Sequence, residues 1–189
     1  MKVSLSELAH YYQEHFLDYY YKIQTDNREI IINSCPKHFL HLTGLQRSKK
    51  VFHYRNSKQF YYDSLNGKLD IYELIKAIPN KIERNIVWIK ISNFQELHNT
   101  ILNSQYLYLD DDNASTCGLV VSQGVERFQT FTCVYDKDLK FYVPKSNQTD
   151  IDEKHSKVIK YDKETIKSTK RISKKSDEGK QLFKDIISS

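Results

Sequence analysis

The strongest constraint on the fold is a change in hydrophobic period near Tyr106. Upstream of it apolar residues recur at helical spacing, and downstream they alternate. Leu5, Leu8, Tyr12, Phe16 and Tyr19 predict an amphipathic helix to about Tyr20, opened by Ser4 with Glu7 three residues on as a capping box. Tyr21-Lys22-Ile23-Gln24 and Glu29-Ile30-Ile31-Ile32 flank a turn at Thr25-Asp26-Asn27 and predict a short hairpin. Pro36 suits the first turn of a second helix that Gly44 stops. Asp70 or Leu69 opens another that Pro79 ends, and 81–102 is the longest helical candidate despite its β-branched opening. Beyond Tyr106 the segments 106–109, 117–122, 128–135 and 140–143 read as short strands, with period two clearest from Phe128 to Val134. Asp110-Asp111-Asp112-Asn113 lacks the glycine and terminal glutamate of a calcium loop and reads as a solvated turn. Val158–Tyr161 predicts one more strand, 169–176 a basic linker and 179–187 a short helix. Helices first and sheet second is the order of an α+β domain, with N-terminal helices packed on a C-terminal antiparallel β-sheet. The expected domain is 1–165, and 166–189 holds the basic linker and short C-terminal helix.

Within the helical half, Phe39-Leu40-His41-Leu42-Thr43-Gly44-Leu45 sets an imidazole and a hydroxyl inside a run of large apolar residues. Burying an unpartnered polar group costs about 1 to 3 kcal/mol, so His41 and Thr43 must find hydrogen bonds or open onto a cleft. His38 and His41 could share a helical face, but HxxH is not the spacing of a zinc-binding HExxH and no second ligand cluster accompanies it. Neither a metal nor another cofactor is expected. Cys35, Cys117 and Cys133 are odd in number and without CxxC spacing, the usage of reduced thiols in a cytoplasmic protein. No signal peptide and no transmembrane stretch is apparent.

The net charge is +5, but its distribution matters more. Residues 154–180 hold nine lysines and one arginine against four acids, so the remainder is near neutral. Between Gln46 and Tyr62, Arg47, Lys49, Lys50, Arg55 and Lys58 interleave with Phe52, His53, Tyr54, Phe60, Tyr61 and Tyr62. Cations neutralise phosphates and rings accept unstacked bases, which is the pattern single-stranded RNA recognition uses; a surface helix with one aromatic face has the same composition.

FLHLTGL, the Lys-rich segment after it and the later Tyr142-Val143-Pro144-Lys145-Ser146 together resemble the FxHLxGL and YxPxS motifs of the phage-associated branch of the barnase, EndoU, colicin and RelE-like (BECR fold) nucleases. The resemblance implies a barnase-like layout and metal-independent RNA cleavage by attack of the 2′-hydroxyl. It implies a helical arginine turned to the cleft, matched by Arg84, and a cleft bordered by Tyr142 and Ser146. Histidine suits the proton transfers because its ordinary pKa lies near working pH, and His41 is the candidate. The implied catalytic set is therefore His41, Arg84 and Ser146 with Thr43 and Tyr142. Lys49, Lys50, Arg55, Lys58, Lys145, Lys170, Arg171, Lys174 and Lys175 are the expected nucleic-acid contacts. The chain departs from the pattern at Asn147, where the family has an aromatic, and no second histidine falls in a matching place; His53, His98 and His155 are loose candidates. The partner expected is RNA, free or held as guide RNA in a host defence ribonucleoprotein. The alternatives are a non-catalytic inhibitor that binds nucleic acid or a ribonucleoprotein on the same fold, as an anti-CRISPR would, and a protein-binding module whose basic tail serves solubility.

Overall fold

The computed structural model describes residues 3–54, 56–110, 116–122, 128–150 and 162–188. Helix α1 (Leu5–Tyr12) starts at the expected capping box, in which Ser4 and Glu7 satisfy each other's backbone amides. It stops earlier than its apolar spacing suggests: Gln13–Leu17 winds as one turn of π-helix, and strand β1 (Tyr19–Thr25) follows at once. Strand β2 (Glu29–Asn33) completes the hairpin. Pro36–His38 is a 3₁₀ turn leading into α2 (Phe39–Thr43), which Gly44 ends in the left-handed region. Four helices follow: α3 (Ser57–Leu65), α4 (Ile71–Lys76), α5 (Lys81–Ser92) and α6 (Leu97–Asn103). Strands β3 (Tyr106–Leu109), β4 (Thr116–Ser122), β5 (Phe128–Asp136) and β6 (Phe141–Asp150) form the expected meander; then come β7 (Asp162–Ser173) and helix α7 (Asp177–Ser188). The strand expected at 158–161 and most of the acidic turn after Asp110 lie outside the described residues.

The strands do not make the expected C-terminal antiparallel sheet with helices laid upon it. They close into a seven-stranded mixed barrel in the order β1-β2-β6-β5-β4-β3-β7. Two things produce the difference. The N-terminal hairpin joins the sheet through a parallel contact of β2 with β6, at Ile32 and Tyr142. The basic stretch read as a linker from Thr169 is the second half of β7, which pairs antiparallel through 162–165 with β3 at Tyr106–Leu109 and through 166–173 with β1, closing the barrel. Only Ile172 of β7 is buried. Backbone hydrogen bonds to β3 and then to β1 hold this strand without apolar alternation, so its charged sequence gave no strand signal.

One continuous core joins the sheet to the helices. Tyr21, Ile23, Ile32, Leu107, Leu119 and Phe131 face Leu8, Tyr12, Phe16, Phe39 and Phe94, and the Phe16 ring lies 5.8 Å from Tyr21 and 6.0 Å from Phe131. On the opposite side α7 lays Leu182 and Ile186 over Tyr20, Phe141 and Ile172.

The buried histidine of the HxxH pair is His38. Its Nδ1 accepts the backbone N–H of Cys35 at 3.2 Å, and burial, followed by the charges of Lys37, His41 and Lys174, holds it down at about 4. The folded protein keeps this imidazole neutral, whereas the unfolded chain protonates it near 6.5. Stability is therefore undiminished above about pH 6.5 and is lost as the pH falls towards about 4, by up to about 3 kcal/mol. Urea midpoints at neutral pH and near pH 4.5 should fall further for the wild type than for His38→Gln; equal losses would remove His38 as the acid-labile group.

Candidate functional site

Helix α5 is opened by Asn80, whose side-chain oxygen accepts the N–H groups of Ile82 and Glu83. Its buried stripe is Val87, Lys90 and Ile91, so a lysine stands where helical spacing calls for an apolar residue. Lys90 is only 7 % exposed, and its Nζ donates to Ser146 Oγ at 3.3 Å. Burial, and then the neighbouring Arg47 charge, push its ammonium down to about 8.

Both motif segments are shaped around this lysine. Gly44 has φ +76°, and a Cβ there would stand 3.0 Å from Lys90 Cδ and 3.3 Å from Val87 Cγ2, so the glycine serves both the left-handed turn and the approach of α5. On the other side, β6 carries a bulge. Pro144 pairs with Cys133 and Ser146 with Thr132, leaving Lys145 as the extra residue. Proline has no N–H for the ladder, and the bulge beside it sets the direction of Ser146. Helix α2 packs against both α5 and β6, bringing FLHLTGL and YVPKS to one junction with Lys90 between them.

Arg47 completes the arrangement. Its Nη1 would lie 3.6 Å from a Cβ on Gly44 and is buried without a hydrogen-bond partner among the described residues, while its Nε is 3.7 Å from Glu83 Oε1. Two cations and a hydroxyl converging on one turn make an anion site, and an orphaned guanidinium N–H is a donor awaiting an oxygen.

The other expected catalytic residues lie on the same three elements, α2, α5 and β6. His41 is exposed on α2. Thr43 is fully buried, its hydroxyl donating to Leu40 O at 3.0 Å and accepting from Leu45 N at 3.5 Å; its polar groups are consumed in holding the turn. Arg84 is half-buried on α5, one turn before Val87. Tyr142 is half-buried beside Tyr135, and burial pushes its hydroxyl up to about 12. Lys90 was missed by sequence reasoning. The available signal was a lysine on the same stripe as Val87 and Ile91.

The expected nucleic-acid contacts differ in their surroundings. Lys49, Lys50, Lys58 and Lys145 are exposed, Lys50 pairing with Glu73 at 2.7 Å and Lys58 lying 5.9 Å from the Tyr62 ring; Arg55 is outside the described residues. On β7 and after it, Lys170 pairs with Glu178 and Lys175 with Asp18. Lys174 turns inward instead, donating to Ser34 O at 3.0 Å, and burial brings it down to about 8. Arg171 is half-buried, its guanidinium 3.5 Å from the Tyr19 ring centre. No helix among the described residues is long and apolar enough to cross a membrane.

No curated protein and no solved structure matches the chain. A family model does, that of the phage-Barnase-EndoU-ColicinE5/D-RelE like nuclease4 family, over residues 4–187. That span takes in the FLHLTGL turn, α5 with Lys90 and the YVPKS bulge, along with every strand of the barrel and α7 up to its penultimate residue. The chain belongs to this family of phage-associated nucleases of the BECR type.

Proposed function

We propose that this nuclease cleaves RNA without a metal, holding the scissile phosphate at the junction of α2, α5 and β6. The observation that carries the reading is the Lys90–Ser146 contact, which joins the two family motifs through a buried cation. Charge neutralisation of the phosphorane comes from Lys90 and the inward Nη1 of Arg47, and Ser146 donates a further hydrogen bond. His41 takes the proton of the 2′-hydroxyl, whose oxygen attacks phosphorus. The bond from phosphorus to the 5′-oxygen breaks, and the Lys90 ammonium, held near 8, protonates the departing oxygen. The products are a 2′,3′-cyclic phosphate and a 5′-hydroxyl. Arg84 and the exposed Lys145 are second contacts to the strand, and Thr43 holds the turn rather than reacting.

Labelled total and structured RNAs incubated in EDTA with wild type and His41→Ala test this directly, with mapping of the new ends. Cleavage by the wild type alone, leaving cyclic phosphate ends, is the expected result. Turnover at wild-type rate by His41→Ala would remove His41 from the mechanism. An uncleaved pool, even with guide-RNA ribonucleoproteins present, would favour an inhibitor that acts by occupying its partner.

A further inference from the structure

We propose that Tyr11, His15, His98 and Arg171 form a second, separate phosphate-binding site, which takes a phosphate of a nucleotide chain and closes on it as the two histidines protonate. The π-turn after α1 carries His15 out to meet His98 of α6, and the rings stack with centroids 4.2 Å apart and planes 17° from parallel. Tyr11 lies across both, its ring 4.3 Å from that of His15. Its hydroxyl contacts Gln95 O and His98 Nδ1, each at 2.5 Å. A hydroxyl has one proton; if it donates to the carbonyl, it must accept from the imidazole N–H, which fixes the ring of His98. Arg171 approaches from β7. It is anchored on two sides, by Nη2 donating to Glu14 O at 2.6 Å and by its packing on Tyr19.

What this cluster lacks is an acceptor. His15 Nδ1 and Arg171 Nε are both buried without a hydrogen-bond partner among the described residues, and so is Thr169 Oγ1, two residues before Arg171 on the same strand. A cleft of about 340 Å³ between α6 and β7 reaches Thr169, lined among others by Leu102, one turn beyond His98, and by Gln105 and Tyr106. Lys163 lies 3.6 Å from the ring centre of Tyr106, one of the lining residues. Orphaned polar atoms within one cluster of cationic and imidazole groups, with a cleft reaching the same strand, are what a phosphate oxygen would satisfy.

The charges around the pair set the pH dependence. Burial first, and then the Arg171 charge, hold both imidazoles below their ordinary value, and His98 adds to this for His15; Glu14 favours protonation of both and Glu96 that of His98. With neutral imidazoles, one guanidinium faces two carboxylates and an anion is not attracted. Two imidazolium groups reverse that balance, and a phosphate between them relieves their mutual repulsion. Binding therefore takes up protons and strengthens as the pH falls.

The test is an NMR titration of the His15 and His98 imidazole signals with inorganic phosphate, at about pH 5.5 and about pH 8. It is made in wild type and in Lys90→Met, so that any anion bound beside Ser146 is removed from the readout. The expected result is a saturable shift of both signals in both proteins, with affinity about tenfold higher at the lower pH and about tenfold lower in Arg171→Gln. The His15 signal in His98→Gln gives the same comparison should the Arg171 variant not fold. RNA oligonucleotides with and without a terminal phosphate then identify the source: a shift from both assigns an internal phosphodiester, and a shift from the phosphorylated one alone assigns a strand end. Imidazole signals that do not respond to phosphate at either pH, or respond equally in Arg171→Gln, overturn the proposal, as does a response lost in Lys90→Met. None of these readings depends on RNA cleavage.

Discussion

Lys90→Met should abolish RNA cleavage while making the protein more stable. Methionine matches the length and flexibility of the lysine stem and suits the stripe between Val87 and Ile91. The ammonium at that position is held by burial about two and a half pH units below its ordinary 10.5, worth about 3 kcal/mol. Its hydrogen bond to Ser146 returns about 1 kcal/mol of that. A net gain of about 1 to 2 kcal/mol at neutral pH is therefore expected from urea unfolding of the variant. Cleavage should drop by about a hundredfold to a thousandfold, the usual consequence of removing one donor from a developing anion. The pH profiles should also diverge. Lys90 carries its proton below about 8, so it sets the alkaline limit: wild-type cleavage is lost as the pH rises through that value. Over the window from about 8 to 10.5 the unfolded chain binds more protons at this residue than the folded one, so its contribution to stability rises while activity declines. A Lys90→Met enzyme that cuts within threefold of wild type would move the chemistry elsewhere, whatever its stability. A variant both inactive and destabilised would make Lys90 a structural residue.

Gly179→Ala is expected to lift α7 from the barrel. A Cβ at this position would run into the backbone carbonyl oxygen of Ser173 and come within 2.9 Å of its carbon and 3.0 Å of Lys174 Cα. None of these is a flexible side-chain end that could turn aside. Ser176 fixes the same turn, accepting the N–H of Gly179 at 3.1 Å and donating to Ser173 O at 2.7 Å. Displacing the helix uncovers Tyr20, Phe141 and Ile172, which are 5 %, 1 % and 3 % exposed. Loss of that cover should cost about 3 kcal/mol or more, read as a lower urea midpoint, together with protease cleavage near 174–179. Gly67→Ala is the informative comparison. It sits at φ +68° with nothing within 4 Å, so only the left-handed backbone is penalised, at about 1 kcal/mol. Equal costs for the two variants would mean that α7 tolerates a shift and is not seated by Gly179.

How far the chain could be read without its structure differs from element to element. The capping box at Ser4, the stop at Gly44 and the meander from Tyr106 follow from local chemistry: side-chain oxygens that reach nearby amides, a backbone that needs φ above zero, and side chains that alternate across a pleat. The two motifs were legible for the same reason, since a turn glycine and a strand-interrupting proline act where they stand. His41 and Thr43 looked alike within the apolar run, yet α2 turns one outward and consumes the other in the turn.

By itself, then, the sequence determined the local elements, the turn at Gly44, the bulge-prone Pro144 and the family resemblance. The tertiary structure alone decided that β7 closes a barrel, that Lys90 stands between the motifs with Arg47 behind it, and that His15, His98 and Arg171 meet. Each of these joins residues far apart in the chain: Lys90 to Ser146, Arg171 to Glu14, β7 to β1. Such pairings depend on backbone hydrogen bonds and desolvation across the fold, and neither leaves a periodic mark on the residues that take part.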